Sequence, residues 1–383
     1  MKVIIAPDKF KGSLSSFEVC AAIAAGIRQV DSKAEILSFP MADGGDGFAA
    51  VMKHYLRTTS LSRPTVDPLG RFIEVSYEWN EAGKTAIIEL ASASGLVLLD
   101  AQERNPLQTS TYGTGLLIKD AISLGAEKII LGLGGSATND AGIGILAALG
   151  FHIKHNGASP HELSRGEELS RVVAIVAPAS LSPIDFLIAC DVQNPLYGPQ
   201  GAAYVYAPQK GASPEEVEEL DKGLRHYAGI IQRQTGKDIA SIPGAGAAGG
   251  IAASLIPFLN ARLTGGTEMI IEASTVKNAL AGADLVITGE GKLDEQTKQG
   301  KPPFYIARLA KEKNIPVIGL CGSLALDDAG IKELGLKNAA ETMDASLSLA
   351  DNMAQAARLL TQKTIEVLTH HLHHPDHSLA SGE

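Results

Sequence analysis

Apolar residues fill positions 3 to 6 (Val3, Ile4, Ile5, Ala6) and give way to "PDKFKGS". The run predicts a strand over residues 2–6 that leads straight into a charged loop. Behind that loop Val19, Ile23 and Ile27 recur at helical spacing, with Ser15 or Ser16 as the cap. A second strand is predicted over 34–39, followed by "PMADGGDG" and a helix from Phe48. This βαβα order predicts a parallel sheet with ligand loops at the C-terminal ends of its strands.

From about residue 63 the pattern changes. "RFIEVSYEWNEAGKTAIIELAS" alternates apolar and polar residues on both sides of the turn-rich "NEAGK", which predicts an antiparallel hairpin. Beyond it the spacing predicts a helix over 110–123, a strand over 128–132, a helix over 141–149, strands over 185–189 and 202–206, and a helix from 214. That last helix opens with a capping box, Ser213 and Glu216, and Pro214 in its first turn. Its Val217, Leu220, Leu224 and Tyr227 form one inward stripe.

The parallel pattern then resumes. "ADLVITGEG" reads as strand and loop, "KPPFYIARLAKEKN" as a helix with Pro302 and Pro303 in its first turn, and "IPVIGLCGS" as the next strand and loop. Because the two ends read alike and the middle differently, the chain is expected to be an α/β protein of two domains. A discontinuous doubly wound parallel-sheet domain, flavodoxin- or Rossmann-like, takes 1–62 and 284–383, and a mixed α/β domain, 63–283, is inserted in it. The terminal "HHLHHPDHSLASGE", with five of the ten histidines, is expected to be a frayed polar end rather than a metal site.

Composition agrees with two domains: 383 residues exceed one ordinary core, and 45% hydrophobic with 20% charged residues is usual for a globular protein. A net charge of −10 argues against nucleic acid or an anionic membrane as the main partner. The apolar runs fall short of a membrane span, and the strand pattern begins at residue 3 without the features of a signal peptide. Cys20, Cys190 and Cys321 are far apart and lack CxxC spacing. They fit a reducing cytoplasm better than disulfides or a zinc site. A cytoplasmic location is therefore expected, and a homo-oligomer is compatible with the sequence.

The loops carry the candidate chemistry. "AGKT" at 82–85 is no Walker motif, since Glu78 stands where the first glycine belongs and the tetrapeptide falls in a hairpin turn. No GxGxxG follows the first strand, which weakens a nicotinamide enzyme, and no GxSxG occurs. Instead "IILGLGGSATNDAG" gives a strand and then Gly132, Gly134, Gly135 and Ser136, whose main-chain amides suit an anion. "GAGAAGG" at 244–250 reads equally as a second such loop or as close helix packing.

Carboxylates recur where strands end: Asp43 and Asp46, Asp191 beside Asn194, and Glu290 and Asp294 beside Gln296. Lys9 and Lys11 add positive charge at the first strand end. Lysines for an anion, hard oxygen donors for a cation and glycines for close amide contact are the parts phosphoryl transfer uses. Residue types alone reach a kinase-like or phosphate-handling protein. A kinase for some small hydroxy acid and a non-catalytic sensor of small anions both fit them.

Seven ordered motifs narrow this. "APDKFKGSL", "ADGGDG", "GLGGSATNDAG", "CDVQNPLYGPQGAAYVYAPQKGA", "GAGAAGG", "GTE" and "ITGEGKLDEQTKQGK" together resemble the bacterial glycerate kinase family of the first type, over roughly residues 1–365. The resemblance implies phosphorylation of D-glycerate by ATP with Mg2+, at the 2-hydroxyl, in a cleft of two domains. Asp46 stands where that family usually has a glutamate, and Phe304 and Tyr305 replace a smaller pair.

On that footing Asp191, Lys9 and Lys11 are expected to be catalytic. Asp191 serves as base toward the glycerate hydroxyl or as a metal ligand. The two lysines, sharing a face in extended chain, meet the transferring phosphoryl group and the substrate carboxylate. Gly132, Gly134, Gly135 and Ser136 are assigned to phosphate or carboxylate. Asn194, Gly289, Glu290 and Gln296 are assigned to the nucleotide or substrate hydroxyls. Asp43, Asp294 and Asp46 are the metal candidates, with Glu290 as a further choice, and Ser13 is expected to cap the first helix in preference to serving as a hydroxyl donor.

Overall fold

A computed structural model describes residues 1–157, 163–181 and 183–373. The strands run in chain order β1 (Lys2–Ile5), β2 (Glu35–Ser38), β3 (Thr59–Val66), β4 (Phe72–Asn80), β5 (Thr85–Glu89) and β6 (Lys128–Gly132). They continue with β7 (His152–His155), β8 (Val172–Val176), β9 (Asp185–Ala189), β10 (Arg262–Thr264), β11 (Leu285–Leu293), β12 (Val317–Leu324) and β13 (Asn338–Glu341). Two compact units divide them: Met1–Asp43 with Ile270–Glu383, and Gly44–Met269.

The first unit holds a parallel five-stranded sheet in the order β13-β12-β11-β1-β2. Val3, Ile4 and Ile5 of β1 and Leu285 and Val286 of β11 are fully buried, which explains their unbroken apolar runs. The helix Ser16–Val30 starts on Ser15, whose hydroxyl accepts from the Glu18 amide while Glu18 accepts from the Ser15 amide. Such a cap contributes about 1 kcal/mol. Ser13 is no cap: its hydroxyl donates to the Phe10 carbonyl and closes a turn.

Val19, Ile23 and Ile27 of that helix pack with Val3, Ile5, Leu360 and Leu368 in one cluster. Gly26 lets the helix Ala356–His373 come close, since a Cβ there would lie 2.7 Å from the Thr364 Cβ. That helix carries His370, His371 and His373 as ordered helical turns, not as the frayed end expected. The remaining tail histidines lie outside the described residues. The helix Pro302–Lys311 packs on β11 and β12, with both prolines in its first turn.

Read within this unit, the sheet order is 2-1-3-4-5, and chain direction across the sheet reverses between β1 and β11. In open α/β sheets ligands bind outside the strand C-termini at such a switch point.

The second unit is built on a mixed six-stranded sheet, β10-β9-β6-β5-β4-β3. β3, β4 and β5 form an antiparallel meander, and β5, β6, β9 and β10 are parallel. β7 and β8 make a separate antiparallel pair. Lys84 falls in the β4–β5 turn, as the hairpin pattern predicts. The helix Pro214–Thr235 shows the expected capping box and buries Val217, Leu220, Leu224, Tyr227 and Ile231. Full burial of each such side chain is worth about 2 kcal/mol.

Residues 202–206 form a helix, Ala202–Tyr206, and not the predicted strand. Tyr204, Val205 and Tyr206 look strand-like in sequence, but the inward residues are Ala202, Ala203 and Ala207, a helical stripe of small side chains. Val205 and Ala207 donate to the Gly201 and Ala203 carbonyls, so the backbone is satisfied without a ladder.

Candidate active site

In the first unit, the C-terminal ends of β1 and β11 bring acids and lysines together. The Asp8 amide donates to the Gly289 carbonyl at 2.8 Å, which ties the two strand ends. Gly289 is a packing glycine, since a Cβ there would lie 1.8 Å from the Leu320 carbonyl oxygen. The Lys9 ammonium lies 3.1 Å from Asp43 Oδ1 and 3.6 Å from Asp8 Oδ1. Asp8 is 3% exposed and accepts the Lys9 amide. Burial pushes its pKa up to about 7; the Asp43 and Glu290 charges add to this, and Lys9 opposes it.

Glu290 is also buried, accepting from the Thr297 hydroxyl at 2.7 Å and the Lys301 ammonium at 2.9 Å. Burial raises its pKa, with Lys301 opposing. Lys301 loses hydration in the same place, yet Glu290, Asp294 and Asp43 hold its pKa above the usual lysine value. Asp294 accepts the Gln296 amide and pairs with Lys292 at 3.5 Å, while the Gln296 side chain is exposed.

Lys9 and Lys11 do not share a face. Phe10 bridges to Leu14 across a tight turn with Gly12 at φ +80°, so the chain is not extended at Lys11, and Lys11 is exposed.

In the second unit, Asp191 follows β9. Its Oδ2 accepts the Gly44 amide at 2.7 Å and the Gly266 amide at 3.2 Å, two contacts that orient the carboxylate. Cys190 beside it is half-buried, and burial pushes its thiol up to about 11. The glycine-rich segment leaves β6 and packs on residues 44–46. A Cβ at Gly134 would lie 2.3 Å from the Gly45 Cα, and one at Gly135 would lie 3.0 Å from Asp46 Oδ1.

The amides of that segment divide by role. Gly132 belongs to the β6 ladder, and the Leu133 and Gly134 amides donate to the Gly44 carbonyl. The Gly134 amide is thus spent within the protein, and the loop's capacity for an anion rests on Gly135 and Ser136. Asn194 is also spent: its Nδ2 donates to the Gln200 carbonyl and its Oδ1 accepts from the Tyr206 hydroxyl. "GAGAAGG" is a packing turn, because a Cβ at Gly249 would lie 2.1 Å from the Thr138 carbonyl oxygen and one at Gly246 2.2 Å from that of Pro195.

Asp140 is fully buried and accepts from Thr111 (amide and hydroxyl) and from the Gly142 and Gly144 amides, which makes it an anchor.

Among the described residues no three His, Cys, Asp or Glu side chains form a ready-made metal cage. Asp43 and Asp294 belong to the first cluster, whereas Asp46 is an exposed residue beside Gly135 in the second unit. Three residues were given no role from the sequence: Asp8, Lys301 and Lys210. Asp8 carried the same signal as the acids that were found, a carboxylate just past an apolar strand. The two lysines stand in motifs quoted above, but nothing in the sequence shows that Lys210 turns inward or that Lys301 pairs with Glu290, since a lysine is exposed by default.

The family model described as "Glycerate kinase family" matches residues 3–372. A protein of Halalkalibacterium halodurans named glycerate kinase is 42% identical over 94% of this chain and 95% of its own. Escherichia coli glycerate 2-kinase is 42% identical over 86% of this chain and 87% of its own. A solved chain of Salmonella typhimurium LT2, assigned as glycerate kinase 2, superimposes with a TM-score of 0.82 at 39% identity, covering 97% of this chain and 98% of that one.

Proposed function

The chain belongs to the glycerate kinase family, and from that premise we propose that it transfers the γ-phosphoryl group of ATP to the 2-hydroxyl of D-glycerate. It is a glycerate-phosphorylating, ATP-using enzyme; the position of transfer, the metal and the residue roles are our reading. We read the first unit's sheet as the doubly wound, flavodoxin-like kind, with its ligand end at β1 and β11.

The observation that carries this reading is the cluster at that end: Lys9 held 3.1 Å from Asp43, with buried Asp8 and Glu290 and the half-buried Lys301 around it. Phosphoryl transfer is largely a matter of position and charge, and a lysine fixed by carboxylates is pre-set to neutralise a phosphoryl oxygen. In the reaction the glycerate hydroxyl oxygen forms the new bond to phosphorus, the bond to the ADP oxygen breaks, and the hydroxyl proton passes to a carboxylate. Asp191 is our candidate for that carboxylate, because two amides already fix its orientation.

The donor set suits Mg2+. Asp43 and Asp294 are partly exposed carboxylates, each in the loop that follows a parallel strand of that sheet. Magnesium takes one or two carboxylates together with phosphate oxygens and water, so a closed cage is not required. Asp43 and Asp294 would hold it, with Asp46 the remaining candidate; when bound it neutralises charge on the phosphate oxygens.

The test is ADP release by the full chain across a panel of small hydroxy acids. D-Glycerate should give the highest kcat/KM. A better substrate elsewhere in the panel, or no ADP release with any acid, would contradict the reading.

A further inference from the structure

Lys210 is 2% exposed and belongs to none of the groups discussed above. It ends the short turn Pro208–Lys210, and the next residue, Gly211, has φ +98° and sits where a Cβ would lie 2.1 Å from the Arg104 carbonyl oxygen. That turn sends the lysine into the protein. Its ammonium donates to Ser136 Oγ at 2.7 Å and to the Thr138 carbonyl at 2.7 Å. Both acceptors are neutral, a thin return for a buried charge. Burial pulls the Lys210 pKa down to about 7, and Asp140 opposes this from a distance.

The surroundings hold further unspent polarity. Thr138 and Asn139 are fully buried, and the Thr138 hydroxyl and both polar atoms of the Asn139 side chain have no partner among the described residues. Buried polar groups normally find partners, so a cluster of this kind marks a place built around something besides packing.

Ser136 supplies the link to function. Its oxygen accepts from the ammonium, which leaves the hydroxyl proton to be donated elsewhere, and no described residue takes it. A hydroxyl that accepts from a cation is a stronger donor in turn. We propose that Lys210 is a positioning residue that fixes the Ser136 hydroxyl as a donor to an anionic oxygen of a substrate held at the glycine-rich loop. This rests on the reading that residues 135 and 136 meet an anion. The oxygen belongs to an ATP phosphate or to the glycerate carboxylate, and kinetics separate the two.

The experiment measures KM for ATP and for D-glycerate separately in the full chain, for Lys210→Met, Ser136→Ala and the double variant, with thermal melting alongside. Each single variant should raise KM for the same one substrate by about tenfold, the usual scale for a hydrogen bond to a charged group, with kcat within about threefold. The double variant should be no worse than Lys210→Met, because the two side chains act in series. The substrate whose KM moves identifies the anion.

A purely structural lysine would lower the melting temperature of Lys210→Met while Ser136→Ala left both KM values unchanged, and that result overturns the proposal. Additive effects overturn it too. Should Lys210→Met fail to fold, Ser136→Ala decides alone: a tenfold rise in one KM upholds the proposal and unchanged values refute it. Absence of glycerate-dependent ADP release in the unmodified chain is a separate outcome that strikes the functional reading itself.

Discussion

The Lys9 ammonium sits 3.1 Å from Asp43 Oδ1, a contact made between a loop that follows β1 and one that follows β2. Its side chain is 19% exposed, so the charge is held in place yet remains open to a ligand. Lys9→Ala removes that charge. We expect kcat to fall on the order of 10²-fold or more if the lysine steadies transition-state charge. Steady-state turnover checks this, and a fall under about threefold would reduce Lys9 to a structural partner of Asp43.

Asp8 should make stability depend on pH in the direction opposite to a salt-bridged acid. Its pKa is raised to about 7 in the folded chain, against 3.8 for an unhindered aspartate. Between those values the folded state holds the proton more tightly than the unfolded one. The stability this group contributes is therefore complete below about pH 4 and is lost as pH rises through about 7. Asp8→Asn removes the penalty of a buried charge. Relative to the parent, its melting temperature should be higher at pH 8 than at pH 5, measured without added divalent cation. An equal difference at both values would show that Asp8 ionises normally.

Asp191→Asn separates orientation from basicity. An asparagine carbonyl can still accept the Gly44 and Gly266 amides that now hold Asp191, so melting temperature and KM for ATP should stay close to the parent values. Loss of the carboxylate should lower kcat by about 10²- to 10⁴-fold if it takes the hydroxyl proton. Near-normal turnover would remove Asp191 from the role of base.

The central parallel strands were legible because burial on both faces demands unbroken apolar runs, as in Val3–Ile5 and Leu285–Ile287, whereas the short parallel edge strands β10 and β13 lack such runs and were missed. β3 was harder to see: in "TSLSRPTV" only Thr65 and Val66 are buried, and Pro64 is tolerated because β3 lies at a sheet edge. The helix Ala202–Tyr206 was misread because Tyr204, Val205 and Tyr206 favour strands locally, while packing of the alanines decided the outcome.

Acids past strands were likewise readable from position: Asp43, Asp191 and Asp294 lie in loops that follow strands, whereas Glu290 stands inside β11, which runs on to Leu293 instead of ending before "GEG". What position cannot reveal is which polar groups are already spent. Asn194 is consumed by Gln200 and Tyr206, and the Gly134 amide by Gly44. Lys210 became buried through the Gly211 turn, and Lys11 became exposed through the one at Gly12. These are properties of tertiary packing, and no spacing in the chain announces them.

The most direct test of the account is the phosphorus NMR spectrum of the product formed from ATP and D-glycerate by the full chain. Phosphate on the 2-oxygen is three bonds from a single hydrogen and should give a doublet, accompanied by stoichiometric ADP. A triplet from the two hydrogens at carbon 3, or no phosphorylated glycerate at all, would contradict it.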